Sequence, residues 1–487
     1  MEYDKPHETP ENNKKVNISV LQGRKLFNEN TPFIININSP DTIMKKSNVD
    51  LICIIDISGS MKKEKLQLVK ESLKSLVSFM DEKDRMALVL FNDKATQYLD
   101  LSYLTKETKA NFIQKIDKIT SRGGTNILSG LEKAVNILKE EKLKEVNNIN
   151  NDENENIRVK SLMLLSDGND NDYNDIEIAD GLKNLTKGHN LSFTLHTFGY
   201  GEDYDLKIMS RLASLRDGSF YNIEQLDKVQ DYFINALGGC MSVIFNEVQL
   251  KIKPLKNNIK IKKIFGMDNL YNYQLNNEYF QTSILQFISG KEYTFTIEVE
   301  LPNTISINED ILEVDLTGDN EEKVNQIYKY RIVGGAFSVA DEEYLRSKVF
   351  DTIDIALKLK EQNKTKEMEK ILNDLKKWIN DNYDGINKNK YIQKINETMG
   401  LFKDNYVFES RGRSKITADI YENQLKRGGY NLAYSNKIQC IMINESKNLS
   451  SRPAPIKPNF TEFFRILLEL FLFVNIILLL VLTSENS

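Results

Sequence analysis

The chain has few of the residues that most often form disulfides or hold zinc. Its 487 residues include three cysteines, three histidines and one tryptophan. The cysteines are odd in number and far apart, which argues against a disulfide framework and a Cys-rich zinc site; they are Cys53, Cys240 and Cys440. This usage is typical of a reducing compartment, and we expect a cytoplasmic protein.

An excess of positive charge is also missing. The net charge is −5, whereas binding to a phosphate backbone needs a clustered basic excess, so we predict no nucleic-acid partner. The sequence has no phosphate-loop motif with its lysine, no GxSxG elbow and no Cys–His pairing pattern. We therefore predict a binding protein and not an enzyme, with a hydrolase as the less favoured alternative.

The two ends of the chain differ in hydropathy. Residues 1–15 are polar and predict a disordered tail without a secretory signal. Residues 461–483 include an apolar run of about one bilayer-spanning length, although Arg465, Glu469 and Asn475 interrupt it. This segment is either a transmembrane tail anchor that leaves the main domains in the cytosol, an apolar helix packed on the protein, or a mis-predicted terminal exon.

Strand and helix patterns alternate through residues 46–240. The runs VDLICIID (49–56), MALVLFN (86–92) and SLMLLSD (161–167) are continuously apolar, as in strands that a parallel sheet buries on both faces. Segments with helical spacing separate them. The pattern predicts an α/β domain with a doubly wound, mostly parallel, Rossmann-like sheet, in which ligands bind beyond the C-terminal ends of the strands.

The remaining segments have other patterns. Residues 241–335 contain short alternating strands and predict an antiparallel β-sandwich. Residues 336–405 predict a helical hairpin or bundle, and residues 406–460 predict a loop-rich region. Two short strands in 16–45 either belong to the sandwich, with the α/β domain inserted into it, or form a separate N-terminal extension.

Five oxygen-bearing side chains follow strands or glycines in three segments of the α/β domain. DISGSM contributes Asp56, Ser58 and Ser60, SRGGTNI contributes Thr125, and the strand over 161–167 ends at Asp167. Strand ends can lie side by side in such a sheet, so we expect these loops to converge.

Two carboxylates and three hydroxyls suit a hard cation. Mg²⁺ prefers six oxygens at about 2.0–2.1 Å, with Mn²⁺ or Ca²⁺ as alternatives. Because five protein groups leave one position open, a carboxylate from a partner could complete the coordination. The alternative is a domain that binds no metal, in which Asp56 and Asp167 accept hydrogen bonds from loop amides.

At these residues the sequence resembles the von Willebrand factor A domain family. DISGSM, the glycine-preceded Thr125 and LLSDG match its metal-ion-dependent adhesion site in residue type and order. The resemblance implies that Ser58, Ser60 and Thr125 are direct hydroxyl ligands, and that Asp56 and Asp167 bind directly or through water. The C-terminal helical region is similar to intracellular von Willebrand A proteins of plants and protists.

The predicted function is therefore metal-dependent protein binding. A Mg²⁺ ion at the five residues would bind an Asp or Glu carboxylate of a protein partner. The alternative is a membrane-tethered scaffold whose helical region binds partners while the metal site is vestigial. The two differ in one property, because partner capture by the scaffold should survive EDTA.

Overall fold

The computed structural model describes most of the chain with gaps. The described residues are 15–24, 30–41, 47–62, 64–147, 158–167, 170–200, 204–223, 229–266, 272–276, 278–302, 309–318, 326–331, 338–425 and 436–450. Within these ranges no helix has the length and apolar character needed to cross a membrane. The predicted anchor at 461–483 and the predicted tail at 1–15, except its last residue, lie outside them.

Two antiparallel strands come first and are followed by a six-stranded α/β sheet. The first pair is β1 (Asn17–Gln22) and β2 (Thr31–Asn38). The sheet consists of β3 (Asn48–Asp56), β4 (Arg85–Phe91), β5 (Ala95–Tyr103), β6 (Arg158–Ser166), β7 (Thr194–Tyr200) and β8 (Phe220–Ile223). Its order is β5-β4-β3-β6-β7-β8, and only β5 runs antiparallel to its neighbour.

Helices cover both faces of this sheet. They are α1 (Glu64–Phe79), α2 (Lys106–Asp117), α3 (Ile127–Asn147), α4 (Asp175–Thr186), α5 (Leu206–Leu215) and α6 (Val229–Met241). Alternate residues of β3 point into two different hydrophobic clusters, Cys53 and Ile55 into one and Ile52 and Ile54 into the other. The predicted doubly wound, mostly parallel sheet is confirmed, and the continuous apolar runs arise because both faces are buried.

A β-sandwich follows. Its later strands are β9 (Val243–Pro254), β10 (Lys260–Ile264), β11 (Gln274–Leu275), β12 (Phe280–Ile288), β13 (Glu292–Glu300), β14 (Asp310–Thr317) and β15 (Gln326–Arg331). One sheet has the order β1-β2-β13-β10, and the other has the order β11-β12-β9-β14-β15. The two sheets share one hydrophobic core, so the strands that precede the α/β domain lie in the sandwich.

The α/β domain is thus inserted between two strands of the sandwich. β2 pairs with β13 from Thr31–Val299 to Asn38–Glu292, although some 250 residues separate them. The outgoing and returning chains lie together, because the Ser47 amide donates to Met241 O (3.2 Å) and the Ser47 hydroxyl donates to Val243 O. β2 is buried on both faces and flanked on both edges, which makes it a central strand and not part of a separate extension.

The C-terminal region is helical in its described parts. It contains α7 (Ser338–Glu361), α8 (Thr365–Asn382), α9 (Lys388–Lys403), α10 (Asn405–Val407), a π-helix (Phe408–Gly412), α11 (Arg413–Leu425) and α12 (Lys437–Ser450). The prediction that 406–460 is loop-rich is wrong for 406–425 and 437–450. Polar residues dilute the apolar spacing there, and these helices gain stability from docking: Ile416 and Ile420 join the bundle core, whereas Met442 and Ile443 join the core of the α/β domain.

Candidate metal centre

The C-terminal ends of neighbouring parallel strands bring the predicted residues to one edge of the α/β sheet. β3 ends at Asp56 and β6 ends at Ser166, and the two strands are in register at Ile55 and Leu165. Asp56 is therefore level with Ser166, and Asp167 is the first residue beyond the sheet. Adjacent parallel strands carry their loops at the same edge, which is where such sheets bind ligands.

Asp56 is fully buried and accepts two hydrogen bonds. Its Oδ1 accepts from the Ser58 amide at 2.7 Å, and its Oδ2 accepts from the Ser166 hydroxyl at 2.6 Å. Burial raises the pKa of Asp56 to about 6, the bonds from Ser166 and Ser58 lower it in part, and the charge of Asp167 raises it further. The carboxylate thus lies in an environment that disfavours its negative charge.

A chain of short side chains links the other residues of this loop to Asp167. The hydroxyls of Ser58 and Ser60 are 2.9 Å apart, and the Ser60 hydroxyl donates to Asp167 Oδ1 at 2.7 Å. The second oxygen of Asp167, Oδ2, pairs with Lys65 Nζ at 2.5 Å. Four of the five predicted residues therefore form one hydrogen-bonded cluster.

The loop of Thr125 contacts this cluster through its backbone. The Gly59 amide donates to Gly123 O at 2.9 Å, and the Arg122 amide donates to Ile57 O at 2.6 Å. Thr125 itself is buried, and its amide donates to Asn171 Oδ1 at 2.5 Å. These bonds place the Thr125 loop beside the Ser58–Ser60 turn.

The two glycines before Thr125 lie against the side chain of Asp93. Gly123 has φ +82°, a left-handed conformation that favours glycine, and a Cβ there would lie 2.5 Å from Asp93 Oδ2. A Cβ on Gly124 would lie 2.6 Å from Asp93 Oδ1. The Gly124 amide donates to that same Oδ1 at 3.0 Å. Asp93 therefore holds the loop at close range, and the left-handed backbone at Gly123 is the feature that favours glycine there.

Several residues of the site did not figure in the sequence prediction. Ser166 hydrogen-bonds Asp56, Lys65 pairs with Asp167, and Asn171 and Asp93 fix the Thr125 loop. Ser166 had a signal, because it directly precedes Asp167 at the end of an apolar strand. Lys65, Asn171 and Asp93 had no such local sequence signal, since the residues they contact are between 31 and 102 positions away in the chain.

The residues present fit a hard divalent cation. The cluster offers carboxylate and hydroxyl oxygens, and neither histidine nor cysteine takes part in its described contacts. In the described part of the chain, no group of three or more His, Cys, Asp or Glu side chains is placed to hold a metal ion. A cation at this edge would thus depend on hydroxyls and water beside the two acids, a donor set that suits Mg²⁺, Mn²⁺ or Ca²⁺ better than zinc or copper.

Comparison with known sequences finds one family model that matches this part of the chain. Residues 50–234 match the family model described as von Willebrand factor type A domain. The inter-alpha-trypsin inhibitor heavy chain H1 of Bos taurus is 28% identical over 37% of this chain and 19% of its own length. YfbK of Escherichia coli is 28% identical over 42% of this chain and 33% of its own length. The chain thus matches less than half the length of these relatives.

Comparison with solved structures extends the likeness beyond that domain. A von Willebrand factor type A protein from Catenulispora acidiphila has a TM-score of 0.61 and 15% identity, covering 85% of this chain and 97% of its own. The ArnB paralog VWA2 from Sulfolobus acidocaldarius has a TM-score of 0.51 and 14% identity, and the match covers 84% of this chain and 98% of that protein. At these identities the likeness shows a shared fold that includes regions outside the α/β domain.

Proposed function

We propose, from the premise that residues 50–234 form a von Willebrand factor type A domain, that this chain is a metal-dependent protein-binding protein. Its site would hold Mg²⁺ through Asp56, Ser58, Ser60, Thr125 and Asp167, and the metal would bind an Asp or Glu carboxylate of a partner. The proposal assigns binding to this site and no catalytic step. Mn²⁺ and Ca²⁺ are the alternative ions.

One observation carries the proposal. Asp56 is buried at the sheet edge, yet the bonds it accepts in the described part of the chain come from a hydroxyl and a backbone amide. A buried carboxylate without a cation is costly, and a divalent ion is the partner that removes that cost. The neighbouring hydroxyls of Ser58 and Ser60 are uncharged donors and could turn their lone pairs toward such an ion.

A bound Mg²⁺ supplies a concentrated positive charge that attracts an external carboxylate. The residues of this chain do the rest. Asp56 and Asp167 provide the negative charge that retains the ion, while the hydroxyls of Ser58, Ser60 and Thr125 add neutral oxygens. Two of the five groups are charged, so they balance the two charges of Mg²⁺, and an acidic partner would be drawn by the coordination position that the five groups leave open.

Calorimetric titration of Mg²⁺, Mn²⁺ and Ca²⁺ into the full chain tests the metal site. We expect the wild type to bind and Asp56→Ala to lose binding. Asp100→Ala is the matched control, because it removes an exposed acid of β5 outside the cluster and should bind like wild type. Equal binding by wild type and Asp56→Ala would contradict the assignment.

Partner capture tests the role of the metal. Proteins captured by the immobilised chain should be lost in EDTA, should return when excess Mg²⁺ is restored, and should be absent with Thr125→Ala. Capture that survives EDTA and this substitution would instead favour the scaffold alternative, in which the helical region binds partners.

A further inference from the structure

Lys65 lies against the candidate metal centre. It stands in the first turn of α1, directly after the loop that carries Ser58 and Ser60, and its Nζ lies 2.5 Å from Asp167 Oδ2. The Asp167 side chain is fully buried, while the Lys65 side chain is 32% exposed. The pair therefore joins a buried acid to a base that still reaches solvent.

The surroundings hold the Lys65 ammonium at this point. Its Nζ lies 5.8 Å from the centre of the Tyr200 ring, which closes the end of β7 beside Asp167. The Lys65 ammonium lies over the face of this ring, whose buried hydroxyl has no hydrogen-bond partner in the described part of the chain. An aromatic face and a carboxylate both attract an ammonium ion.

We propose that Lys65 is a built-in counter-ion of Asp167 that competes with the divalent cation for this carboxylate. The inference rests on the proposed metal site. Asp167 Oδ1 already accepts the Ser60 hydroxyl, so Lys65 takes the oxygen that remains. An ammonium and a dication repel each other at such short range, so binding of the metal requires that Lys65 withdraw.

This competition has two consequences. Without a divalent ion, Lys65 neutralises a buried carboxylate and stabilises the domain. When the ion binds, that ion pair is lost, so the affinity for the metal is lower than the oxygen ligands alone would give. The partial exposure of Lys65 leaves its ammonium a route to water, where it would be solvated after displacement.

The test uses the full chain with Lys65→Met, Lys65→Gln and Lys65→Arg. Lys70→Met is the matched control, because Lys70 is on the same helix and its Nζ donates to the Asp117 carbonyl instead of Asp167. Two quantities are measured for each protein: the Mg²⁺ dissociation constant by calorimetry, and the melting temperature in EDTA and in saturating Mg²⁺.

We expect Lys65→Met and Lys65→Gln to bind Mg²⁺ roughly three- to tenfold more tightly than wild type, tenfold corresponding to about 1.4 kcal/mol. In EDTA both variants should have a lower melting temperature than wild type. In saturating Mg²⁺ this difference in melting temperature should be smaller. Lys65→Arg and Lys70→Met should bind like wild type. The measurement in EDTA needs no metal, so it reports the counter-ion role separately.

Two results would overturn the inference, and they differ. If wild type binds Mg²⁺ but Lys65→Met and Lys65→Gln bind no more tightly, the competition is refuted and the proposed function stands. If neither wild type nor the Lys65 variants bind any divalent ion, the metal site and the competition both fall.

Discussion

Strand β3 buries an aspartate at each end, and the two are compensated differently. At its beginning, Asp50 Oδ2 accepts from Arg85 Nη2 at 2.6 Å, and Asp50 Oδ1 accepts from Arg158 Nη2 at 2.6 Å. At its end, Asp56 accepts from the Ser58 amide and the Ser166 hydroxyl. Both aspartates are inaccessible to solvent.

The pKa values follow the partners. Burial alone would raise the pKa of Asp50, but the hydrogen bonds and charges of Arg85 and Arg158 outweigh it and lower the pKa. Burial raises the pKa of Asp56 to about 6 because hydroxyl and amide donors compensate only in part. One strand thus carries two buried aspartates in different settings. Asp50 belongs to a closed ion cluster with two arginines, whereas Asp56 belongs to a candidate cation site.

The largest expected effect is at the Asp50 end. Asp50→Asn leaves two guanidinium groups, each with a largely buried side chain, without their shared carboxylate. We expect the free energy of unfolding to fall by about 3–5 kcal/mol, as for other broken buried ion pairs. Urea denaturation measures it, with Asp100→Asn as the exposed control. A loss no greater than that of the control would show that the arginines do not need Asp50.

The second largest effect is expected in how the free energy of unfolding depends on pH. Asp50 has a lower pKa in the folded than in the unfolded chain, so its contribution is complete above the ordinary value of 3.8 and is lost as the pH falls through the folded value. Denaturation at a series of pH values should show wild type losing stability in this acidic window. Asp50→Asn should lose less. Parallel curves for the two proteins would contradict the role of this carboxylate.

A smaller effect is expected at Ser166. Ser166→Ala removes the hydroxyl that donates to Asp56 and leaves a buried carboxylate oxygen unsatisfied, which costs about 1–2 kcal/mol. Ser161→Ala is the matched control, because Ser161 is equally buried in β6 and bonds the neutral Thr194 hydroxyl. The expected ranking in chemical denaturation is a larger loss for Ser166→Ala. The reverse ranking would argue against a charged Asp56.

The smallest effect on stability is expected for Asp56→Asn. In EDTA the free energy of unfolding should change by less than about 1 kcal/mol, because the substitution removes a buried charge that lacks a cation. In Mg²⁺ the wild type should gain stability from the ion, whereas Asp56→Asn should not. A loss in EDTA as large as that of Asp50→Asn would mean that the two ends of β3 do not differ.

Much of the α/β domain could be predicted because its signals are local. The runs at 49–56 and 161–167 are apolar throughout since both faces of the sheet are covered by helices. The strand β5 was not predicted, because it is an edge strand with several exposed residues and a weaker pattern. The predicted site residues were read from short segments, and the structure links Asp56, Ser58, Ser60 and Asp167 directly.

The sequence by itself determined most elements of the α/β domain and the chemistry of its loops, because periodicity, turn glycines and strand-ending acids act within a few residues. The tertiary structure alone decided which distant residues meet. It placed β2 against β13, Met442 in the core of the α/β domain, and Lys65 against Asp167. Such contacts depend on how whole elements pack, and no local pattern encodes the partner that a buried side chain finds across the fold.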